Sequence, residues 1–409
     1  MGWELQKFGD ICHFTRGPFG GSLKKSCFVP EGFAVYEQQH AINDQFDQIR
    51  YFVDPKKFED MRRFEVSPGD LIMSCSGTMG KVAIVPEIVR PGIINQALLK
   101  LTPMDSINTN FLYQFMQSPA FQDQLGMRTK GAAIKNVAAV KVLKEILIHL
   151  PPLPEQRRIV AILDKAFAGI DAAMANTRRN LANARELFES HLNAVFSRKG
   201  DGWVETTIGK ICSFENGDRG KNYPNKSEYV SDGIPWINTG HINPDGSLDS
   251  ESMNYITREK FMSLRGGKIR SGDLVYCLRG ATIGKTAFVE PYTEGAIASS
   301  LMIIRPGSSI SRLYLYYYLT SELGRQQIRR FENGAAQPNL GGKSVAKFEI
   351  FLPPVNIQNT IVNKLQELAE ETQRLEALYQ RKLDALTELK QSLLQKAFSG
   401  QLTVQEAAA

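Results

Sequence analysis

The sequence predicts an α+β protein of two similar halves, in which two mixed α/β globular domains related by a pseudo-two-fold axis are joined by two long helices forming an antiparallel coiled coil. Two observations predict this fold. Residues 2–14 recur as residues 202–214, and further segments recur in the same order. Each globular stretch is also followed by a proline-free segment, at residues 155–196 and 357–398, with apolar residues at helical spacing.

The repeat extends through the whole chain. SPGDLIMSCSGTMGK at 67–81 returns as RSGDLVYCLRGATIGK at 270–285, with one residue inserted, and LPPLPEQRRIV at 150–160 returns as LPPVNIQNTIV at 352–362. A unit of about 200 residues is far longer than a solenoid repeat, so each copy holds a domain and an appended element. Such a duplication allows internal two-fold symmetry, which duplex DNA also has. The predicted boundaries are 1–150 and 201–352 for the globular domains, 151–200 for the first helix, and 353–409 for the second helix and tail.

Within each globular domain, short apolar runs alternate with turns that contain glycine or proline. Runs such as 70–74 and 273–277 have the length and composition of buried strands. Residues 111–125 and 311–331 are the clearest helices. Each domain is therefore predicted to be a mixed sheet with a few helices.

Along both proline-free segments, apolar residues recur at steps of three and four, which indicates a helix packed against a partner helix. The connector at residues 197–203 is short, so an antiparallel pair is the simplest arrangement. Helices of about 40 residues would reach roughly 60 Å. The predicted core residues are Ile159, Leu163, Ile170 and Leu187 in the first helix and Ile361, Leu365, Leu368, Leu375, Leu386, Leu389 and Leu393 in the second.

The composition excludes several classes of protein. The 409 residues carry a formal charge of +6, which is compatible with nucleic-acid binding. The five cysteines form no CxxC pair and have no metal-ligand spacing, which favours a reducing compartment. The chain opens without a signal-peptide pattern, and no apolar stretch approaches about 18 residues. We therefore expect a soluble cytoplasmic protein.

The sequence offers little that could carry catalysis. GATIGKT at 280–286 is similar to a phosphate-binding P-loop, but its glycines are one residue too close together, and in the twin at 77–81 they are closer still. Nucleotide hydrolysis is therefore not expected, and Lys81 and Lys285 are left as DNA-phosphate contacts or as parts of a solvated turn. The five histidines form no metal-binding array, so no metal and no bound cofactor are expected.

The candidates for contact with DNA are loops that repeat between the halves. YEQQHAI at 36–42 and WINTGHI at 236–242 present side-chain amides, which can pair with adenine in the major groove. Gln38, Gln39, Asn238 and Thr239 are therefore the candidate base readers. The candidate phosphate contacts are Arg16, Lys24, Lys25, Lys81, Lys130 and Lys135 in the first half and Arg219, Lys221, Lys226, Arg279 and Lys285 in the second.

Taken together, these motifs resemble the specificity subunit of type I restriction-modification systems. The resemblance rests on the GW segment that opens each domain, the GD turn with its glycine-lysine loop, GAA before LPP, PEQ at the first helix and AFSG at 397–400. It implies that each globular domain is a target recognition domain for one half of a split DNA site. It also implies that the helices space the half-sites and dock two methyltransferase subunits, which would carry S-adenosylmethionine. Restriction subunits would join that complex, while this chain would bind no cofactor and would not be an enzyme.

Two alternatives stand beside this interpretation. A stand-alone DNA-binding regulator could use the same symmetric geometry without enzyme partners, and it would then bind its site tightly alone. A scaffold protein would carry its basic residues only as solvated surface, and it would lack the steep salt dependence of a DNA-binding protein.

Overall fold

The structure is a computed structural model that describes residues 3–19, 21–75, 78–129, 140–331 and 339–402. The chain divides into two compact units. Unit 1 comprises Met1–Arg178 and Arg381–Ala409, and unit 2 comprises Arg179–Gln380. Each unit thus combines one globular segment with parts of both long helices.

In unit 1, two four-stranded sheets and a two-stranded sheet form the globular part, with strand orders β2-β9-β6-β7, β3-β5-β4-β8 and β1-β10. The strands are β1 (Glu4–Lys7), β2 (Cys12–Arg16), β3 (Phe28–Val29), β4 (Phe33–Tyr36), β5 (Phe52–Val53), β6 (Leu71–Ser74), β7 (Val82–Ile84), β8 (Gly92–Ile94), β9 (Leu98–Pro103) and β10 (Leu147–Leu150). The helices are α1 (Phe8–Ile11), α2 (Gln38–Asn43), α3 (Pro55–Asp60), α4 (Thr109–Gln117), α5 (Pro119–Thr129), α6 (Val140–Lys144) and the first part of α7 (Leu153–Ser197).

Unit 2 repeats this plan with sheets ordered β12-β20-β17-β18, β13-β15-β14-β19-β16 and β11-β21. Its strands are β11 (Val204–Thr207), β12 (Cys212–Asn216), β13 (Tyr229–Val230), β14 (Ile234–Ile237), β15 (Asn254–Ile256), β16 (Lys268–Arg270), β17 (Leu274–Cys277), β18 (Thr286–Phe288), β19 (Glu294–Ile297), β20 (Leu301–Pro306) and β21 (Glu349–Leu352). Its helices are α8 (Ile208–Ile211), α9 (Arg258–Ser263), α10 (Arg312–Thr320), α11 (Glu322–Phe331), α12 (Gly342–Val345) and the first part of α13 (Val355–Phe398).

The central strands are apolar on both faces because both faces are covered. Every residue of β6 and of β17 is buried. One face of β6 packs on the cluster around Phe111, and the other packs on the cluster around Tyr36, which lies between the two four-stranded sheets. The continuous apolar runs in the sequence are therefore strands buried on both sides.

The two helices predicted at 111–125 and 311–331 are each a pair of helices that meet at a buried serine. α4 ends before Ser118, and α10 ends before Ser321. Both hydroxyls donate back to a carbonyl of the preceding turn, from Ser118 to Phe115 and from Ser321 to Tyr318. A serine that bonds its own backbone in this way competes with helix continuation, and Pro119 also prevents the first helix from continuing.

A buried glutamine fixes the start of each long helix to its own globular domain. The side chain of Gln156 accepts from Asn108 N at 2.7 Å and donates to the carbonyls of Ser106 and Pro151. Gln358 makes the same three bonds in unit 2, to Ser311, Ser309 and Pro353. The sequences LPEQ and VNIQ differ, yet the glutamine they share is the residue that holds the helix.

Each globular domain is completed by the end of the helix that belongs to the other half of the sequence. In unit 1, Phe398 lies 5.0 Å from the ring centroid of Phe111 and 5.4 Å from that of Phe115. In unit 2, Phe196 lies 5.1 Å and 5.8 Å from the rings of Tyr314 and Tyr318. The repeated Phe-Ser pair is therefore a core residue followed by a helix end.

Ion pairs within each unit show that α7 and α13 run antiparallel. In unit 1, Lys390 pairs with Asp171 at 3.0 Å, and in unit 2, Arg185 pairs with Glu376 at 3.1 Å. From the first pair to the second, the position advances by fourteen residues along α7 and retreats by fourteen along α13. The predicted α+β fold with an antiparallel helix pair is thereby confirmed.

The buried face of each long helix consists of two rows of residues spaced seven apart, which we call seams. One of these two seams differs from the prediction. Leu163, Ile170, Leu365, Leu386 and Leu393 lie at buried or half-buried positions as predicted. The second seam lies one residue later than predicted and consists of Val160, Phe167, Met174, Leu181, Phe188 and Val195 in α7 and Val362, Ala369, Glu376, Leu383, Lys390 and Ala397 in α13.

The predicted core position is therefore wrong for three leucines. Leu187, Leu375 and Leu389 are 59%, 36% and 47% exposed. Of the next residues along the chain, Glu376 and Lys390 pair with α7, and Phe188 packs beside Tyr317 of its globular domain. A pattern of apolar residues selects leucines over the charged residues of this seam, although Glu376 and Lys390 pack there through ion pairs. Ile159 and Ile361 contact their globular domains, and Leu368 is half-buried.

Candidate nucleic-acid interface

Four chain segments of unit 1 converge where β2, β4 and β6 end and β9 begins. Gly17 N donates to Leu98 O at 2.9 Å, Cys75 N to Ala97 O at 2.8 Å, and Asn95 N to Tyr36 O at 2.9 Å. In unit 2, Leu278 N donates to Ser300 O and Ala298 N to Ile237 O in the same pattern. We call this region the strand-end site of each unit.

A glycine is required at the centre of both strand-end sites. A Cβ atom at Gly17 would lie 1.9 Å from the carbonyl oxygen of Asn95, and one at Gly217 would lie 2.4 Å from that of Ala298. Because these neighbours are backbone atoms, no side chain can be accommodated without moving the strands. The glycine brings the loop after β2 or β12 against the loop before β9 or β20.

The candidate base readers lie on short helical turns rather than on irregular loops. Gln38 and Gln39 open α2, where Gln38 is half-buried and Gln39 is exposed, and neither side-chain amide has a hydrogen-bond partner among the described residues. Asn238 precedes the 3-10 turn Thr239–His241, and its side-chain oxygen accepts from Gly240 N at 2.8 Å. Part of the Asn238 amide therefore caps a turn.

The structure also corrects the pairing of these residues between the halves. Tyr36 pairs with Ile94, and Ile237 pairs with Ile297, so Tyr36 corresponds to Ile237. Asn238 is therefore the counterpart of Glu37, and Thr239 is the counterpart of Gln38. The shift between the halves is 200 residues at Gly17 and Gly217 but 201 at Tyr36 and Ile237, because the second half has one additional residue before β14.

The residue that both turns share is a buried histidine. His40 Nδ1 accepts from Glu37 N at 2.8 Å, and His241 Nδ1 accepts from Asn238 N at 3.2 Å. In each case the imidazole satisfies the first free N–H of the turn, as the glutamate of a capping box does. Burial lowers the pKa of His241, which favours the neutral ring that this contact needs.

The glycine-lysine turns join antiparallel strands β6 to β7 and β17 to β18, so neither of them leads into a helix as a P-loop does. Gly80 N donates to Ser74 O and Gly284 N donates to Cys277 O, which makes the turns equivalent. Lys81 and Lys285 are both exposed on them. The Lys285 ammonium lies 3.4 Å from Ile242 O, beside the turn that carries Asn238.

The aspartate of each GD turn is structural. Asp273 has no exposed surface, and its carboxylate accepts two bonds of 2.8 Å from Arg305 and one from Arg270 N. In unit 1, Asp70 accepts from Thr102 and from Ser67 N. These carboxylates are fully used by the fold, and no group of side chains suited to a metal ion occurs among the described residues.

A basic cleft of about 620 Å³ opens at the strand-end site of unit 2. Its basic residues are Arg219, Arg265, Arg279 and Lys343, and its acidic residue is Asp218. The Asp218 carboxylate accepts from Gly220 N at 2.6 Å and Arg265 N at 2.8 Å, bonds that hold its pKa below its usual range. The cleft therefore presents four cations to a ligand, and its one anion is committed to the backbone.

The remaining predicted phosphate contacts fall into two groups. Lys24, Lys25, Lys221 and Lys226 are exposed on the loops between β2 and β3 and between β12 and β13, while Arg16 is half-buried. Lys130 and Lys135 lie outside the described residues. Arg265 and Lys343 were not predicted, because only the folded chain brings them beside Arg219. Their basic character was the single available signal.

Known proteins resemble this chain in sequence over most of its length. The family model for the type I restriction modification DNA specificity domain matches residues 1–181 and 200–383. The EcoBI specificity subunit of Escherichia coli is 25% identical over 370 residues, covering 83% of this chain and 75% of that protein. The EcoKI specificity subunit of Escherichia coli K12 is 22% identical over 428 residues, covering 99% of this chain and 90% of that protein.

Two solved structures have the same fold. A chain from a structural study of assembly and conformational transition of the type I R-M system superposes with a TM-score of 0.80, at 20% identity and over 98% of both chains. The HsdS subunit from Thermoanaerobacter tengcongensis gives a TM-score of 0.59 at 21% identity, over 98% of this chain and 97% of that one. Within the described residues, no helix is long and apolar enough to cross a membrane.

Proposed function

Because this chain belongs to the family of type I restriction-modification DNA specificity proteins, we propose that it reads a DNA site of two separated halves, one with each globular domain. Membership makes it a non-catalytic DNA-recognition subunit of such a system. The observation that carries the finer proposal is the strand-end site, which the chain builds twice on one backbone framework but with different exposed side chains. Phe19 of unit 1, for example, corresponds to Arg219 of unit 2.

In this proposal residues 1–150 and 201–352 are the two target recognition domains, and α7 and α13 set the distance between their half-sites. The buried glutamines support this role, since Gln156 and Gln358 fix each helix start to a domain by three hydrogen bonds. Phe196 and Phe398 support it at the helix ends, where each is buried in a domain core. A helix that is fixed to a domain at each end would set the distance between the half-sites by its own length.

The helices would also dock two methyltransferase subunits, which would carry S-adenosylmethionine, and restriction subunits would join that assembly in the cytoplasm. Leu187 and Leu389 support this step because they occupy equivalent positions on α7 and α13 and are about half exposed. A single exposed leucine needs no explanation, but a pair at equivalent positions of a duplicated chain would give two matching apolar contacts. Two equivalent surfaces would accept two identical partners.

Exchange of one domain tests the recognition mechanism. Residues 1–150 are replaced by the matching domain of a relative, the complex with its methyltransferase is purified, and methylated positions are mapped by sequencing. One half of the site should change while the other half and the gap stay the same. A change in both halves, or in neither, would contradict separate reading.

Insertion of one helical turn tests the spacing role. Four residues placed after Thr177 and four after Tyr379 lengthen each helix by about 6 Å, close to the rise of two base pairs. Both half-sites should survive in the methylation map with a wider gap. An unchanged gap would mean that the helices do not measure it.

A charge placed on the exposed leucines tests docking. Leu187→Arg and Leu389→Arg should each remove one methyltransferase chain from the complex, and the double variant should remove both, as measured by native mass spectrometry. Gln373→Arg is the matched control on the exposed surface of α13. Full stoichiometry in the double variant would place the docking surface elsewhere.

A further inference from the structure

Two arginines stand out because each has a buried nitrogen without a hydrogen bond. Arg16 Nη1 and Arg279 Nε are the only side-chain nitrogens of this kind in the described part of the chain. Buried polar groups nearly always have a partner, so an orphaned one calls for an explanation. The Tyr276 hydroxyl and one carboxylate oxygen of Glu290 share this condition, but neither carries a positive charge. The other cations of the strand-end sites, such as Arg219, Arg265 and Lys343, are exposed to water and need no partner.

The two arginines occupy different positions of the repeat, yet each belongs to the strand-end site of its own unit. Arg16 is the last residue of β2, where its counterpart in unit 2 is Asn216. Arg279 lies two residues beyond β17, and its counterpart in unit 1 is Ser76. Each half of the sequence therefore has one arginine at one of these two positions and a short polar residue at the other.

Contacts within each unit bring these positions together. The Arg16 guanidinium lies close to the Cys75 thiol. Burial raises the pKa of this thiol to about 11, and the guanidinium opposes part of that rise. Cys75 corresponds to Leu278, because Cys75 N bonds Ala97 O and Leu278 N bonds Ser300 O in the same register. Arg279 follows Leu278 directly and lines the cleft with Asn216. Both guanidiniums thus lie between the end of β2 or β12 and the end of β6 or β17.

The surroundings of the two arginines suit contact with a base better than contact with a phosphate. The backbone of Arg279 is held by a β-bridge to Asn339, and both side chains are only partly exposed. The Arg16 guanidinium also lies 5.8 Å from the ring centroid of Phe19. A partly dehydrated guanidinium suits bidentate pairing with guanine O6 and N7, the commonest specific arginine contact in the major groove.

We propose that Arg16 and Arg279 are the specificity-determining residues for one guanine in each half-site. Arg16 would read the half-site of the first domain, and Arg279 would read that of the second. The proposal rests on the proposed function, since it takes the strand-end sites to face the DNA. It changes the role predicted for these two residues from phosphate contact to base contact, and it leaves Arg219, Lys24 and the exposed lysines as phosphate contacts.

The test uses the complex of this chain with its methyltransferase and DNA that carries the mapped site. Each guanine is replaced in turn by 7-deazaguanine, which lacks the N7 acceptor but still pairs with cytosine. Equilibrium binding and methylation should fall about tenfold or more at one guanine in each half-site, because N7 accepts one of the two bonds from the charged guanidinium while O6 remains. The domain exchange described above assigns each half-site to its domain.

The variants then connect each guanine to its arginine. In Arg16→Met, the sensitivity to 7-deazaguanine should disappear in the first half-site only, and in Arg279→Met it should disappear in the second only. Methionine keeps an unbranched stem but has no N–H donor, whereas lysine could still bond guanine O6 or N7. The matched control is Arg219→Met, which should weaken binding to all sequences alike and leave both sensitivities intact.

The outcomes separate this inference from the function on which it rests. If the complex methylates a split site but no guanine is sensitive, or the site lacks guanine, the arginines do not read this base. If Arg16→Met and Arg279→Met leave the sensitivities in place, other residues read the guanines. If the wild-type complex shows no split site at all, the proposed function itself is wrong.

Discussion

Replacing the buried glutamine at the start of either long helix should detach that helix from its domain. Gln156 and Gln358 have no exposed surface, and each makes three hydrogen bonds to backbone groups of the loop that precedes α4 or α10 and of the proline turn before the helix. Leucine matches the volume but cannot make these bonds. At a net 0.5 to 1.5 kcal/mol for each bond, Gln156→Leu should lower local stability by about 1.5 to 4.5 kcal/mol.

Native-state hydrogen exchange measures this loss where it occurs. The Asn108 amide donates to the Gln156 side chain, so its exchange should accelerate at least about tenfold in Gln156→Leu, which corresponds to about 1.5 kcal/mol. The Ser311 amide should behave in the same way in Gln358→Leu. Local exchange is preferable to a single melting temperature because a chain of two units need not unfold in one step.

The matched control is Gln395→Leu on the exposed surface of α13, which should change stability by less than about 0.5 kcal/mol. The effect should be local, so Gln156→Leu should leave the exchange of the Ser311 amide unchanged. An Asn108 amide that keeps its protection in Gln156→Leu would show that the helix start is held by apolar packing alone. The spacing role proposed for α7 would then need another anchor.

Three further predictions concern other contacts of the fold. Phe398→Ala should destabilise unit 1 by about 3 to 5 kcal/mol, because it empties the space beside Phe111; urea unfolding measures the loss. Asp273→Asn should cost about 3 kcal/mol, since it leaves the Arg305 guanidinium without its buried partner, and thermal unfolding would show no loss if the pair is dispensable. His241 should make its turn weaken in acid: its pKa is lowered on folding, so the unfolded state binds more protons and stability is lost as the pH falls below about 6.5. The Asn238 amide should therefore exchange faster at pH 5 than at pH 7 after correction for intrinsic rates, whereas equal protection at both values would contradict a neutral cap.

The sequence predicted the framework because repetition and helical spacing are local signals. Two copies, a sheet in each domain and the helix bounds near residues 153 and 355 all follow from apolar pattern and from the position of proline. One seam of the coiled coil was missed because Glu376 and Lys390 are charged. Only the contact with Arg185 and Asp171 shows that these charges are paired across the helices.

The candidate site was less predictable, since it depends on contacts between residues distant in sequence. The glutamine and asparagine candidates were matched one residue out of register, because the insertion that displaces them leaves no mark in the apolar pattern. The histidine cap that does align, His40 with His241, appeared in both sequence segments and was not recognised as a cap. Its one sequence signal was the position three residues after the start of each turn.

The two halves agree in residues that hold the fold and differ in residues that face outward at the strand-end sites. The shared residues act on backbone groups or fill the core, so a change in either copy would move the strands themselves; these pairs are Gly17 and Gly217, His40 and His241, Asp70 and Asp273, Gln156 and Gln358, and Phe196 and Phe398. The pairs that differ are Arg16 with Asn216 and Phe19 with Arg219, and in the sequence also Ser76 with Arg279. A fixed backbone that presents variable side chains at one site can change what it reads without refolding. That separation also explains why a duplicated sequence predicts the scaffold well and the reading residues poorly, because only the scaffold is constrained to repeat.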